Sequence, residues 1–271
     1  MILTEELLTM MCIIAQRAGD AIISVKSKPQ TMESTTKNDG SPVTTADLRA
    51  HEIILDSLRS ISEDVPILSE EGIVGDPASQ DYCFVVDPLD GTKEFIKGSS
   101  MYTVNIGVAR RDGKSSWSPV CGVVCAPELQ QTWFGGQDLG AFLSDQNGIR
   151  EISVSSDREI PVIVGSISHS TPQDRRFAKS VGRHVFEGVG SSIKLCRVSD
   201  GSADMSPRFG PTSCWDTLAA HAILFAAGGN LLGPDCKELT YDIAGDIINP
   251  PFLATSNGRW IDQWKREVLK E

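Results

Sequence analysis

Carboxylates are the chemistry-bearing side chains of this sequence that fall into a pattern. Asp87 and Asp90 stand in Asp87-Pro88-Leu89-Asp90-Gly91-Thr92, directly after the apolar run Tyr82-Cys83-Phe84-Val85-Val86, which reads as a strand buried on both faces. Pro88 fixes φ and offers no N–H, and Gly91 permits a close backbone approach, so both acids can turn toward one point at the strand end. Two carboxylates converging there suit a hard cation. Mg2+ takes oxygen ligands in an octahedron, here the acids plus a backbone carbonyl such as that of Leu89. The competing reading is a plain polar turn, since Asp, Pro and Gly are ordinary turn residues. Two more acidic stretches weigh against it: Ser69-Glu70-Glu71-Gly72 behind the short run Pro66-Ile67-Leu68, and Trp215-Asp216-Thr217 opening a helical pattern.

The elements that must position these acids are legible in outline. Thr4 caps a helix reaching about Lys26, with Leu7, Met11, Ile14, Ala18, Ile22 and Val25 at three- and four-residue spacing. A polar stretch over 28–42, with Lys37, Asn38 and Asp39, reads as a loop. Thr44 or Thr45 caps a second helix with Asp47 in its first turn, where an acid commonly complements the helix dipole. Tyr102, Val104, Ile106 and Val108 alternate with Thr103, Asn105, Gly107 and Ala109 as in a strand, and strands at 120–125 and 131–134 continue an antiparallel sheet. Composition changes over 144–150, dividing the chain into an α+β half, 1–145, and a half, 146–271, in which a strand at 162–164 and helices at 172–181, 191–200 and 216–227 imply α/β layering.

Composition narrows the partners. With 271 residues the chain can bury a large core, and 40% hydrophobic with 23% charged residues is ordinary for a globular protein. A net charge of −11 repels nucleic acid polymers and anionic membranes, so a phosphate-bearing ligand must be met by a local cation. Seven cysteines lie mostly in apolar runs without paired metal spacing, which argues against zinc and for a reducing, cytoplasmic setting. Glu5 and Glu6 stand where a signal peptide carries basic residues. The uncharged stretch 217–234 is better explained as a helix ending at Gly228-Gly229 than as a membrane span.

The segments Asp-Pro-Leu-Asp-Gly-Thr-Lys-Glu-Phe-Ile-Lys from Asp87, Tyr-Thr-Val-Asn-Ile-Gly from Tyr102, Gly-Ser-Ser-Ile-Lys-Leu-Cys from Gly190, Pro-Arg-Phe-Gly-Pro-Thr from Pro207 and Trp-Asp-Thr-Leu-Ala-Ala-His-Ala from Trp215 resemble the inositol monophosphatase superfamily. Within it they resemble most the CysQ-type 3'(2'),5'-bisphosphate nucleotidases. The resemblance implies a layered αβαβα sandwich, and Mg2+ held by Glu70, Asp87, Asp90, Asp216 and the Leu89 carbonyl, with Asp47 serving a further, looser metal position. It implies that Thr92 and Asp47 orient the attacking water; Glu71 is either an exposed neighbour of Glu70 or a second group placing that water. Two cations can then activate water and stabilise the departing ester oxygen of an in-line displacement.

Adenosine 3',5'-bisphosphate, the substrate of those relatives, has a second phosphate that needs its own partners. Ser191, Ser192 and Lys194, with backbone N–H groups where a helix starts, and the planar fork of Arg208 are suited to it, while Gly91, Thr92 and Asp216 border the first phosphate. His169 is either a contact to the base or a satisfied lone histidine. The resemblance also implies 3'-phosphoadenosine 5'-phosphosulfate as a second substrate and sensitivity to Li+. An inositol phosphate phosphatase and a catalytically silent metal and nucleotide sensor are the alternatives. Oligomeric state cannot be read from the residues.

Overall fold

A computed structural model describes residues 4–28, 33–36, 42–113, 115–155, 158–168 and 170–269. Helix α1 (Glu5–Lys26) starts where Thr4 Oγ1 accepts the Leu7 N–H at 3.1 Å. Two short strands, β1 (Ser34–Thr36) and β2 (Pro42–Thr44), pair with each other and lead into helix α2 (Thr45–Ile61). Strands β3 (Ile67–Ser69), β4 (Gly72–Val74), β5 (Tyr82–Asp90), β6 (Thr103–Arg111), β7 (Trp117–Ala126), β8 (Gln131–Gly136), β9 (Gly140–Asp145) and β10 (Gly148–Glu151) form one sheet in the order β10-β9-β8-β7-β6-β5-β3-β4. It is antiparallel except where β3 runs parallel to β5, which brings the ends of both strands, and their acids, to the same edge. A one-turn helix, α3 (Thr92–Ile96), follows β5.

The rest of the chain builds a second sheet of five strands, β11 (Val162–Ser166), β12 (Val185–Val189), β13 (Met205–Arg208), β14 (Asn230–Leu232) and β15 (Phe252–Thr255), in the order β12-β11-β13-β15-β14. Its helices are α4 (Pro172–Ser180), α5 (Ile193–Ser199), α6 (Cys214–Ala226) and α7 (Ile261–Val268). The expected halfway point near residue 145 falls in the hairpin between β9 and β10, and β10 still belongs to the larger sheet.

Three apolar cores define the layering. In the first, Leu7, Met11, Ile22, Ile54 and Leu58 of α1 and α2 pack on Phe84, Val104 and Ile106 of the larger sheet. The second lies between the sheets, around Cys196 and Val198 of α5 and Leu218 and Ile223 of α6. In the third, Phe177 of α4 and Trp264 of α7 cover Ile163, Met205 and Leu253 on the outer face of the smaller sheet. The order is therefore helices, sheet, helices, sheet, helices, the αβαβα sandwich expected.

Burial of β6 departs from the alternating pattern. Every position from Thr103 to Ala109 is buried, because α6 covers the face that carries Thr103, Asn105 and Gly107. The helix comes close because the sheet has no side chains in its way: a Cβ on Gly107 would lie 2.6 Å from the Leu218 side chain, and one on Gly122 would strike the Ala219 carbonyl oxygen.

Among the described residues α1 is the helix long and apolar enough to cross a membrane; here its apolar stripe is buried against the sheet and α2. All seven cysteines are unpaired thiols, five of them buried.

Candidate active site

The strand β5 ends in a bulge. Asp87 stands opposite Asn105 and Asp90 opposite Thr103, so Pro88 and Leu89 together face the single residue between. Pro88, with no N–H to donate, fits where ladder pairing lapses. Gly91 then takes φ 92°, the left-handed region, and a Cβ there would stand 3.1 Å from the Met101 carbonyl oxygen, so glycine is required on both counts.

This geometry gathers carboxylates from three chain segments into one cleft of about 390 Å3. Asp87, Asp90 and Asp216 each place an oxygen within 4.8 Å of the others, and Glu70 lines the same cleft. Each of the three has one oxygen engaged by a backbone N–H: Asp87 Oδ1 by Leu89 at 3.0 Å, Asp90 Oδ2 by Ser192 at 2.6 Å, Asp216 Oδ2 by Ser213 at 2.9 Å. Burial, then the charges of Glu70, Asp90 and Asp216, push the Asp87 carboxyl well above its ordinary value. Burial and Asp90 likewise push Asp216 up to about 8. Such a set resists full ionisation without a compensating positive charge, and its all-oxygen composition is that of a hard divalent cation site.

Asp47 lies behind the wall of the cleft. Thr44 and Asp47 form a capping box that starts α2: the Thr44 N–H and hydroxyl donate to Asp47 Oδ2 at 2.8 and 2.6 Å. The dipole reading of this acid is therefore correct as far as one oxygen goes. The other, Oδ1, accepts the Thr92 hydroxyl at 3.1 Å, and Thr92 is equally near the Leu89 carbonyl. Burial raises the Asp47 carboxyl above its usual range, against the lowering effect of its bonds to Thr44 and Thr92. Asp47 is not part of the three-acid cluster, and a metal there would have to share Oδ1 with Thr92. Glu71 does not line the cleft; its charge is felt by Asp47 and by His51, and its N–H reaches Ser69 Oγ at 3.4 Å.

Two cations, Lys194 and Arg208, line the same cleft as the acids. Ser191, with φ 50°, and Ser192 precede α5; Lys194 donates to the Ser191 carbonyl at 2.5 Å, and Arg208 Nη2 to the Pro211 carbonyl at 2.9 Å. Burial holds the Lys194 ammonium below its ordinary pKa; Asp90 opposes this and Arg208 adds to it. Ser192 differs from expectation, because its hydroxyl is occupied within the protein: it contacts Asp90 Oδ2 at 2.7 Å and the Asp216 carbonyl at 2.6 Å. Ser191 Oγ is buried with no hydrogen-bond partner among the described residues. His169, together with Lys37, Asn38 and Asp39, lies outside the described residues.

Glu94, which lines the cleft, and Asn105, buried behind it, are groups that sequence reasoning passed over. Asn105 Nδ2 donates to Ser192 Oγ at 2.8 Å, and Glu94 Oε1 accepts the Ser168 hydroxyl at 2.5 Å. An amide inside a strand and an acid inside a short helix were the available signals.

The sequence and the fold have parallels in known proteins. The chain is 40% identical over 251 residues to the 3'(2'),5'-bisphosphate nucleotidase CysQ of Salmonella typhimurium, covering 92% of this chain and 99% of the relative. The crystal structure of CysQ from Bacteroides thetaiotaomicron superposes with a TM-score of 0.80 at 32% identity, over 94% of this chain and 98% of the other. An inositol monophosphatase from Thermotoga maritima shares the fold at a TM-score of 0.78 and 23% identity, over 96% and 95% of the two chains. The model of the inositol monophosphatase family matches residues 3–264, and the chain belongs to that family.

Proposed function

We propose that this protein is a Mg2+-dependent 3'(2'),5'-bisphosphate nucleotidase that converts adenosine 3',5'-bisphosphate to AMP and phosphate. The observation that carries the reading is the pairing of an acid cluster with two cations, Lys194 and Arg208, in the lining of one cleft. Like charges at that range disfavour each other, so the wall is suited to an anion that lies away from the acids. A substrate with two phosphates satisfies both ends. The 40% identity to a bisphosphate nucleotidase supports the same substrate class.

Glu70, Asp87, Asp90, Asp216 and the Leu89 carbonyl are the groups we assign to Mg2+. A bound divalent cation supplies counter-charge for the phosphate oxygens and lowers the pKa of water. The chain's own contribution is to orient and to accept a proton. The Thr92 proton is directed to Asp47 or to the Leu89 carbonyl, which leaves the hydroxyl's lone pairs to receive a hydrogen bond from the attacking water. Asp47, with its raised affinity for a proton, stands next in line as acceptor. Glu71 acts through its charge on Asp47. Gly91 gives the phosphate access to the backbone, and Ser191, Lys194 and Arg208 hold the second phosphate, with His169 assigned to the base.

Under this reading the half 1–145 supplies most metal groups, and the half 146–271 supplies Asp216 and the second-phosphate wall. Seven unpaired thiols support a reducing, cytoplasmic setting. The test is phosphate release from adenosine 3',5'-bisphosphate, 3'-phosphoadenosine 5'-phosphosulfate and inositol 1-phosphate with and without Mg2+. A higher kcat/KM on inositol 1-phosphate than on either nucleotide would overturn the assignment.

A further inference from the structure

A buried amide is costly unless its polar atoms are bonded, and Asn105 is 1% exposed in the middle of β6. Its Nδ2 faces three acceptors: Ser192 Oγ at 2.8 Å, and, at the long end, Asp90 Oδ2 at 3.4 Å and the Trp215 carbonyl at 3.5 Å. Its Oδ1 has no hydrogen-bond partner among the described residues. The position therefore uses the amide for its two N–H donors. The three acceptors come from the end of β5, from the segment before α5 and from the first turn of α6, so one side chain ties together the segments that carry Asp90, the second-phosphate wall and Asp216.

We infer that Asn105 is a positioning residue for the metal site, acting through Ser192 on Asp90; this rests on the metal reading of Asp90 given above. Ser192 has one hydroxyl proton, directed to Asp90 Oδ2 or to the Asp216 carbonyl. The Asn105 donor fixes that hydroxyl by occupying its acceptor side. Together with the Ser192 N–H, this surrounds Asp90 Oδ2 with donors and fixes the plane of the carboxylate. Take the amide away and the Ser192 hydroxyl loses the donor that fixes its acceptor side and can shift between its two acceptors, so Asp90 is held less firmly in the orientation that a cation requires. Asn105 itself binds neither metal nor substrate.

The experiment is a Mn2+ titration of the substrate-free protein, followed by electron paramagnetic resonance. Asn105→Leu keeps the amide's branched shape at a larger volume and Asn105→Ala leaves a cavity, so a folding failure of one leaves the other to report. Either should raise the Mn2+ Kd by about ten- to a hundredfold, the usual cost of removing a group that orients a metal ligand. The effect of Asn105→Leu should not add to that of Ser192→Ala, because both act on the same carboxylate. Thermal unfolding separates positioning from support: the Mn2+-induced rise in Tm shrinks in the variants if Asn105 serves the metal site. Equal loss of Tm with and without Mn2+, with the Kd unchanged, would overturn the inference. Asp90→Asn distinguishes it from its premise. If Asp90→Asn leaves Mn2+ binding intact, the metal assignment fails. If Asp90→Asn abolishes binding while Asn105→Leu preserves it, only the role of Asn105 fails.

Discussion

Arg208→Ala removes the planar fork from the wall of the cleft that holds the acids. The Pro211 carbonyl orients this guanidinium at 2.9 Å, and Asp174, Asp216 and Asp90 favour its charge against the cost of burial. A charged hydrogen bond to a phosphate contributes about 1.5–3 kcal/mol. For a bisphosphate substrate the variant should lose that amount of transition-state binding, roughly ten- to more than a hundredfold in kcat/KM. A monophosphate places nothing against this wall, and its loss should stay within about threefold, since that corresponds to under about 1 kcal/mol. The assay compares adenosine 3',5'-bisphosphate with 3'-AMP on wild type and variant. Saturating Mg2+ is needed, because deleting a cation near Asp90 and Asp216 also alters metal affinity. Equal losses on the two substrates would refute the reasoning, and Arg208 would then serve the acid cluster instead of the second phosphate.

Thr92→Ala or Asp47→Asn should lower kcat by about a hundredfold or more with little change in KM, as expected of groups that act on the attacking water; steady-state kinetics decide, and an effect on KM alone would remove them from that role. The metal-free protein should lose stability as pH rises from about 4 to 8. Asp216 keeps its proton up to about 8 when folded and releases it near 3.8 when unfolded, so the folded chain holds more protons in that window. Mg2+ displaces those protons, and the Mg2+-induced rise in Tm should grow with pH; a rise that shrinks from pH 5 to pH 8 would contradict the cluster's protonation. Gly122→Ala should cost about 1–3 kcal/mol or more in denaturant unfolding, because the added methyl meets the backbone of α6; a neutral effect would mean that α6 can lift from the sheet.

How much of this was readable before the coordinates depends on whether a residue's role is local. The cap at Thr44, the amphipathic stripe of α1 and the turn at Asp90-Gly91 are set by neighbours in sequence, and each is found where periodicity and turn chemistry place it. Convergence of Asp87 and Asp90 follows from the strand end, the acidic stretches at Glu70 and Asp216 stand out beside them, and resemblance joins all four. Asn105 was hidden because alternation in a strand implies a solvent face, and nothing in the local sequence announces that α6 covers it; Gly107 and Gly122 were the trace of that contact. A serine before a helix reads as a ligand donor, and only the fold shows its hydroxyl directed at Asp90 and the Asp216 carbonyl. Helix α6 begins two residues earlier than its apolar pattern, because Ser213 caps it and Asp216 completes the box.

The backbone N–H bonds on Asp87, Asp90 and Asp216 bear on which ion the cleft admits. A carboxylate with one oxygen held by a backbone N–H gives up that bond's geometry if it swings round to grip a cation with both. Calcium is best served by six to eight oxygens at 2.3–2.6 Å, often with two from a single carboxylate, whereas magnesium accepts one from each at 2.0–2.1 Å and completes its shell with water and phosphate. On the metal reading proposed above, the peptide groups that shape the strand end and start the helices would also tilt the site toward the smaller, more strongly hydrated cation.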